Sequence, residues 1–131
     1  MFKLTRKSEY ALIALRHLQM NDDMLSTSRE ISQMYMIPRE VLAKVLQKMV
    51  KLNYIDAYKG ASGGYKLKKS LKKIRLAEFI EKMEGPLGLV DCNINDNCDQ
   101  ISHCTIKMPI NKINENIKSV LNGIKIADIT T

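Results

Sequence analysis

The sequence predicts a mainly α-helical chain with one small β-hairpin, a winged helix-turn-helix followed by a long C-terminal dimerisation helix. Three observations carry that prediction. A short capped helix runs directly into a second helix with a basic outer face. A hairpin dense in glycine and lysine follows at once. A stripe of isoleucines at helical spacing then closes the chain.

The first helix is expected over Ser8 to Met20, where Tyr10, Leu12, Ile13, Leu15 and Leu18 recur at helical spacing. His17 is read as a residue of that helix's surface. Thr27-Ser28-Arg29-Glu30 is a capping box. It opens a short helix from Ser28 to Tyr35, with Ile31 and Met34 or Tyr35 inward. Pro38 suits the first turn of the next helix, which runs to Leu52. There Leu42, Val45, Leu46, Met49 and Leu52 form the inner stripe. Arg39, Glu40, Ala43, Lys44, Gln47, Lys48 and Lys51 form the outer one. Such a face is equally that of an ordinary amphipathic helix in water. The segment that follows favours a recognition helix.

Tyr54 to Tyr58 and Tyr65 to Leu67 read as two strands around Lys59-Gly60-Ala61-Ser62-Gly63-Gly64. Glycines there would let the backbone approach phosphates without a Cβ clash. The wing shows no aromatic platform in sequence, which favours duplex DNA over RNA. A further helix is expected from Ile74 to Met83, stopped by Glu84-Gly85-Pro86. The last helix, Lys107 to Asn122, carries Ile110, Ile113, Ile117, Val120 and Leu121 on one side. A stripe this apolar at the end of a small domain invites pairing with a second copy. Residues 124–131 read as a short tail. The resulting division is 1–84 for the DNA-binding domain, 85–105 for a cysteine loop and 106–131 for the dimerisation helix and tail.

Charge supports a polyanionic partner. The net charge of +7 is uneven: residues 1–75 hold 16 Lys or Arg against 6 Asp or Glu. Residues 76–131 hold 5 against 8. A basic half-chain matches the phosphate backbone of double-stranded DNA. With 131 residues and 45% apolar composition, one domain with a real core is expected. No apolar run approaches the roughly 20 residues of a membrane span, and no signal-peptide core is visible, so the expected place is the cytoplasm.

All three cysteines fall in one array, Cys92, Cys98 and Cys104, a C-x5-C-x5-C spacing among Asn, Asp, Gln and Ser. Those neighbours favour an irregular loop. Soft thiolates select iron–sulfur clusters, zinc or copper(I). Zinc sites usually show four ligands and C-x2-C pairs, whereas this chain has three cysteines and no such pair. A disulfide would leave one thiol over. The residues alone leave an iron–sulfur site, a zinc site and redox thiols open.

The opening from Leu4 to Leu15, LTRKSEYALIAL, the wing from Lys59 to Leu67, KGASGGYKL, and the cysteine array together resemble the Rrf-two (Rrf2) family of bacterial transcription regulators. Its IscR branch senses iron–sulfur clusters, and its NsrR branch nitric oxide. The resemblance covers essentially the whole chain. It implies a homodimeric winged-helix regulator with Cys92, Cys98 and Cys104 holding an iron–sulfur cluster, 4Fe–4S or 2Fe–2S. Where the IscR branch has a fourth-ligand histidine, this chain has Lys107. The NsrR branch uses an acidic residue before the aromatic of the first helix, reaching from the partner subunit. Glu9 stands at that place, ahead of Tyr10. His103 is the second candidate for the fourth ligand.

For DNA, the expected contacts are Arg39, Glu40, Lys44, Gln47 and Lys48 on the recognition helix, and Lys59, Ser62, Gly63 and Gly64 on the wing. Ser28 sits at a helix N-terminus suited to a phosphate. Thr5, Arg6 and Lys7 would add backbone contacts. An enzyme is not expected: there is no phosphate loop, no nucleophile motif and no general-base constellation. The alternatives to a cluster sensor are a cluster-free thiol or small-ligand sensor of the same fold, and a zinc-structured regulator.

Overall fold

The computed structural model describes residues 3–86, 88 and 105–130. Cys92, Cys98, Cys104 and His103 lie outside the described residues. Helix α1 spans Arg6–Met20. The Thr5 hydroxyl caps it by accepting the Ser8 N–H at 3.3 Å. Helix α2 spans Ser28–Tyr35, and the Thr27 hydroxyl accepts the Glu30 N–H at 3.1 Å. Helix α3 spans Arg39–Lys51. Pro38 stands at its N-cap, one position earlier than the expected first turn.

Strands β1 (Ile55–Tyr58) and β2 (Gly64–Leu67) pair antiparallel, from Ile55 opposite Leu67 to Tyr58 opposite Gly64. A single 3-10 turn at Leu71–Lys73 leads to α4, Leu76–Glu84. Helix α5 spans Lys107–Asn122, the bounds expected from its stripe, and α6 spans Ile126–Thr130. The order of helices, hairpin and helices is the predicted fold class.

One core joins these elements. Leu15 and Leu18 of α1, Ile31 of α2, and Leu42, Leu46 and Met49 of α3 meet Tyr54, Phe79 and Ile126. Full burial of one such side chain contributes about 1.5–3 kcal/mol. The Tyr54 ring packs on Phe79 with centroids 6.2 Å apart.

Two expectations are corrected here. Residues 124–130 are more than the expected short tail. Ile126 and Ala127 enter the core, and the chain is stitched to the start of α4 by two backbone bonds. Leu76 N–H donates to Ile124 at 2.8 Å, and Ile126 N–H donates to Ile74 at 2.9 Å. Five helical residues show too little periodicity to declare this in sequence.

His17 is the second correction, since it is buried rather than on the surface. It lies three residues after Ala14 on the same inward face. Its Nδ1 is 2.9 Å from the Tyr35 hydroxyl, and the rings meet edge to face at 5.5 Å. The pair pins α1 to the end of α2. Burial pushes the His17 imidazole below 6.5, while Glu30 pulls it partly back. The unfolded chain therefore takes up a proton that the folded chain refuses. Stability is expected to fall as pH drops below about 6.5 towards the lower folded value. Melting temperatures from pH 7.5 to 5.5 should decline less in His17→Gln than in the wild type. Equal declines would contradict this.

Candidate nucleic-acid interface

The inner stripe of α3 is buried through Leu42, Val45, Leu46 and Met49. That burial turns the other face outward, and Arg39, Glu40, Lys44, Gln47 and Lys48 are all exposed. Arg39, Glu40 and Ala43 share a shallow groove with Ser28, at the N-terminal ends of α3 and α2. The structure thus brings Ser28 to the start of the recognition helix. Met36, in the turn between the two helices, holds a left-handed backbone with φ 55° and is exposed.

Lys48 is a special case. Its ammonium donates to the Met83 carbonyl at 2.9 Å. Met83 belongs to the last turn of α4, where helix carbonyls lack partners inside the helix. Lys48 therefore ties the recognition helix to the end of α4. With Lys7, Lys44, Val45 and Met83 it also lines a small cleft.

The wing is held against the helices by the loop before α2. Tyr65 N–H donates to Ser26 at 2.7 Å, and Ser26 N–H donates to Tyr65 at 3.1 Å. Lys59 and Ser62 at the tip are exposed. Gly63 and Gly64 have a reason for being glycine besides the expected approach to phosphate. A Cβ on Gly63 would strike the Tyr58 carbonyl, and one on Gly64 would come within 2.8 Å of the Ser26 carbonyl. Both glycines are required by the protein's own backbone.

The sequence also missed Tyr58. It is half exposed, opposite Gly64, so one aromatic ring does stand on the surface of the wing. The signal was present: Ile55 points inward, and strand alternation places Tyr58 on the other face, with Asp56.

Glu9, the first candidate for the fourth ligand, is half-buried on the first turns of α1, and its carboxylate lies 3.3 Å from Arg6. The Thr5 N–H donates to the Glu84 carboxylate at 2.5 Å. The chain therefore leaves α4 beside the start of α1, within about a turn of Glu9. Among the described residues no group of three or more His, Cys, Asp and Glu could hold a metal. No helix among them is long and apolar enough to cross a membrane.

Comparison with known proteins agrees with this architecture. CymR (YrzC), the global cysteine regulator of B. subtilis, superimposes with a TM-score of 0.76 at 21% identity, over 99% of this chain and 97% of that one. IscR of T. potens gives a TM-score of 0.73 at 21% identity, over 98% and 85%. CymR of Staphylococcus aureus gives 0.73 at 16% identity, over 96% of each. These likenesses establish the fold. The family model for Rrf2, described as an iron-dependent transcriptional regulator, matches residues 4–131. The chain belongs to the Rrf2 family, and it is a DNA-binding transcriptional regulator rather than an enzyme.

Proposed function

We propose that the regulator acts as a homodimer whose hold on duplex DNA is set by an iron–sulfur cluster on Cys92, Cys98 and Cys104. The observation that carries this reading is the array itself. The chain's three cysteines all lie in one segment between α4 and α5. Three thiolates suit a cluster, and a fourth, non-cysteine ligand would tune its potential and lability. Glu9 is the first choice for that ligand and His103 the second. When bound, the cluster supplies a redox-active and nitric-oxide-reactive centre.

The protein's own residues offer a route to the DNA. The array begins eight residues after α4 ends. The end of α4 is bonded to Lys48 of the recognition helix and to Thr5 at the head of α1. A change in the cysteine segment that shifts this end also shifts α3. On this reading residues 1–84 bind DNA, 85–105 sense and 106–131 dimerise. The contacts are Arg39, Glu40, Lys44, Gln47 and Lys48 in the major groove or on flanking phosphates, Ser28 on a phosphate, and Lys59 and Ser62 at the wing.

The likeness to IscR and to CymR is equally distant, at 21% identity each. It does not choose between a cluster sensor and a thiol sensor; the three-cysteine array is what supports the cluster. An anaerobic absorbance spectrum tests the assignment. The wild type should be brown and Cys92→Ala colourless, with the same oligomeric state. A visible spectrum unchanged in Cys92→Ala would remove the ligand assignment, and a wild type that stays colourless after reconstitution would favour the thiol sensor.

A further inference from the structure

We propose that the cleft between the start of α1, the middle of α3 and the end of α4 binds one phosphate group. Lys7 and Lys44 would be its mobile clamps and Lys48 its fixed charge. The inference rests on the DNA-binding reading and adds a defined anion site to it. Three lysines from two helices line this cleft, with Val45 and Met83 as the remaining lining among the described residues. No acid lines it. Glu84, next in sequence to Met83, has its carboxylate engaged by the Thr5 N–H. Among the described residues none of the three lysines forms an ion pair, although other lysines, such as Lys68, Lys82 and Lys118, do.

Like charges brought together without a counter-charge repel one another. The arrangement is relieved when an anion enters. Size decides which anion. The cleft holds about 120 Å³. Small-molecule pockets span roughly 300–1,000 Å³. The space suits one phosphate group rather than a whole nucleotide.

Position decides where that phosphate comes from. Lys44 and Lys48 belong to the outer face of the recognition helix, and Lys7 stands beside them from α1. A backbone phosphate flanking the major groove would lie at this edge. Lys48, already fixed on Met83, places charge there with little loss of side-chain freedom. Lys7 and Lys44 close from either side. A phosphate bound here would also press on the Lys48 to Met83 contact, the link to the end of α4.

Binding of the full-length wild type, Lys7→Ala, Lys44→Ala and the control Lys112→Ala to a duplex of random sequence, across a salt series, tests the site. Each lost phosphate contact should flatten the log–log salt dependence by about 0.9 per chain. Near 0.15 M salt that corresponds to roughly fivefold weaker binding. Lys7→Ala and Lys44→Ala should show it, equally on every sequence, and Lys112→Ala should not. A parallel titration with inorganic pyrophosphate separates the sources. Unchanged salt slopes with pyrophosphate binding lost in Lys7→Ala would keep the phosphate site and assign it to a soluble ligand. Unchanged slopes without Lys7-dependent pyrophosphate binding would overturn the proposal. A wild type that ignores salt altogether would instead count against the DNA reading, whatever Lys7 does.

Discussion

Ile113→Asp should abolish the proposed dimer and weaken DNA binding by about 100-fold or more. Along α5 and its flanks, Ile106, Ile110, Ile113, Ile117, Val120 and Ile124 recur at alternating steps of four and three. That is the seven-residue repeat of a two-helix seam. The fold leaves much of it uncovered: Ile106 is 57% exposed, Ile113 48% and Val120 65%. The adjacent side of α5 already has its partner. Asn114 is buried, and Lys118 reaches Glu81 of α4 at 3.9 Å. A second copy of α5 fits the open side. An aspartate in the middle of such a seam would be forced out of water without a counter-charge. The monomer should tolerate it, because Ile113 is in contact with solvent there.

The DNA effect follows from linkage. Two recognition helices joined by the seam make the second half-site contact intramolecular, worth roughly 10²–10⁴ in avidity. Sedimentation and fluorescence anisotropy read the two effects separately. A variant that remains dimeric would place the dimer contact elsewhere.

Gly64→Ala should lower stability by roughly 3 kcal/mol, a large part of the 5–15 kcal/mol typical of a domain. Two costs combine. The backbone at Gly64 has φ +152°, which side chains rarely adopt, and the added Cβ would sit 2.8 Å from the Ser26 carbonyl. Relief requires breaking the paired bonds between Ser26 and Tyr65, which hold the wing to the helices. Strain and overpacking each cost about 1–3 kcal/mol. Melting should drop by roughly 10 °C. Gly60→Ala is the control. Gly60 also has a positive φ, of +103°, but its Cβ would meet nothing within 4 Å. It should lose clearly less. Equal losses in the two variants would show that conformation alone, and not the Ser26 contact, sets the requirement.

Most of the architecture was legible because it rests on periodicity. The stripes of α1, α3 and α5 fix which faces are buried, and the exposed Arg39, Glu40, Lys44 and Gln47 follow from the buried Leu42, Val45, Leu46 and Met49. What escaped depends on contacts distant in sequence. Lys48 looks like any outward lysine until a carbonyl 35 residues away takes its ammonium. His17 looks exposed until Tyr35 covers it. The C-terminal residues look like a tail until Ile126 finds the backbone of Ile74. The glycines of the wing were recognised as necessary, but for a partner's backbone rather than the chain's own. For the cysteine segment, residue types narrow the chemistry to soft-metal or thiol chemistry without choosing within it.

The most direct test of the central claim is one anaerobic preparation, assayed for iron, sulfide and affinity for a duplex selected from a random library. The account predicts about four irons with matching sulfide, or two of each for the smaller cluster. Removing the cluster should change DNA affinity by roughly fivefold or more. A protein without iron or sulfide that resists reconstitution, or one whose affinity is the same with and without its cluster, would contradict it.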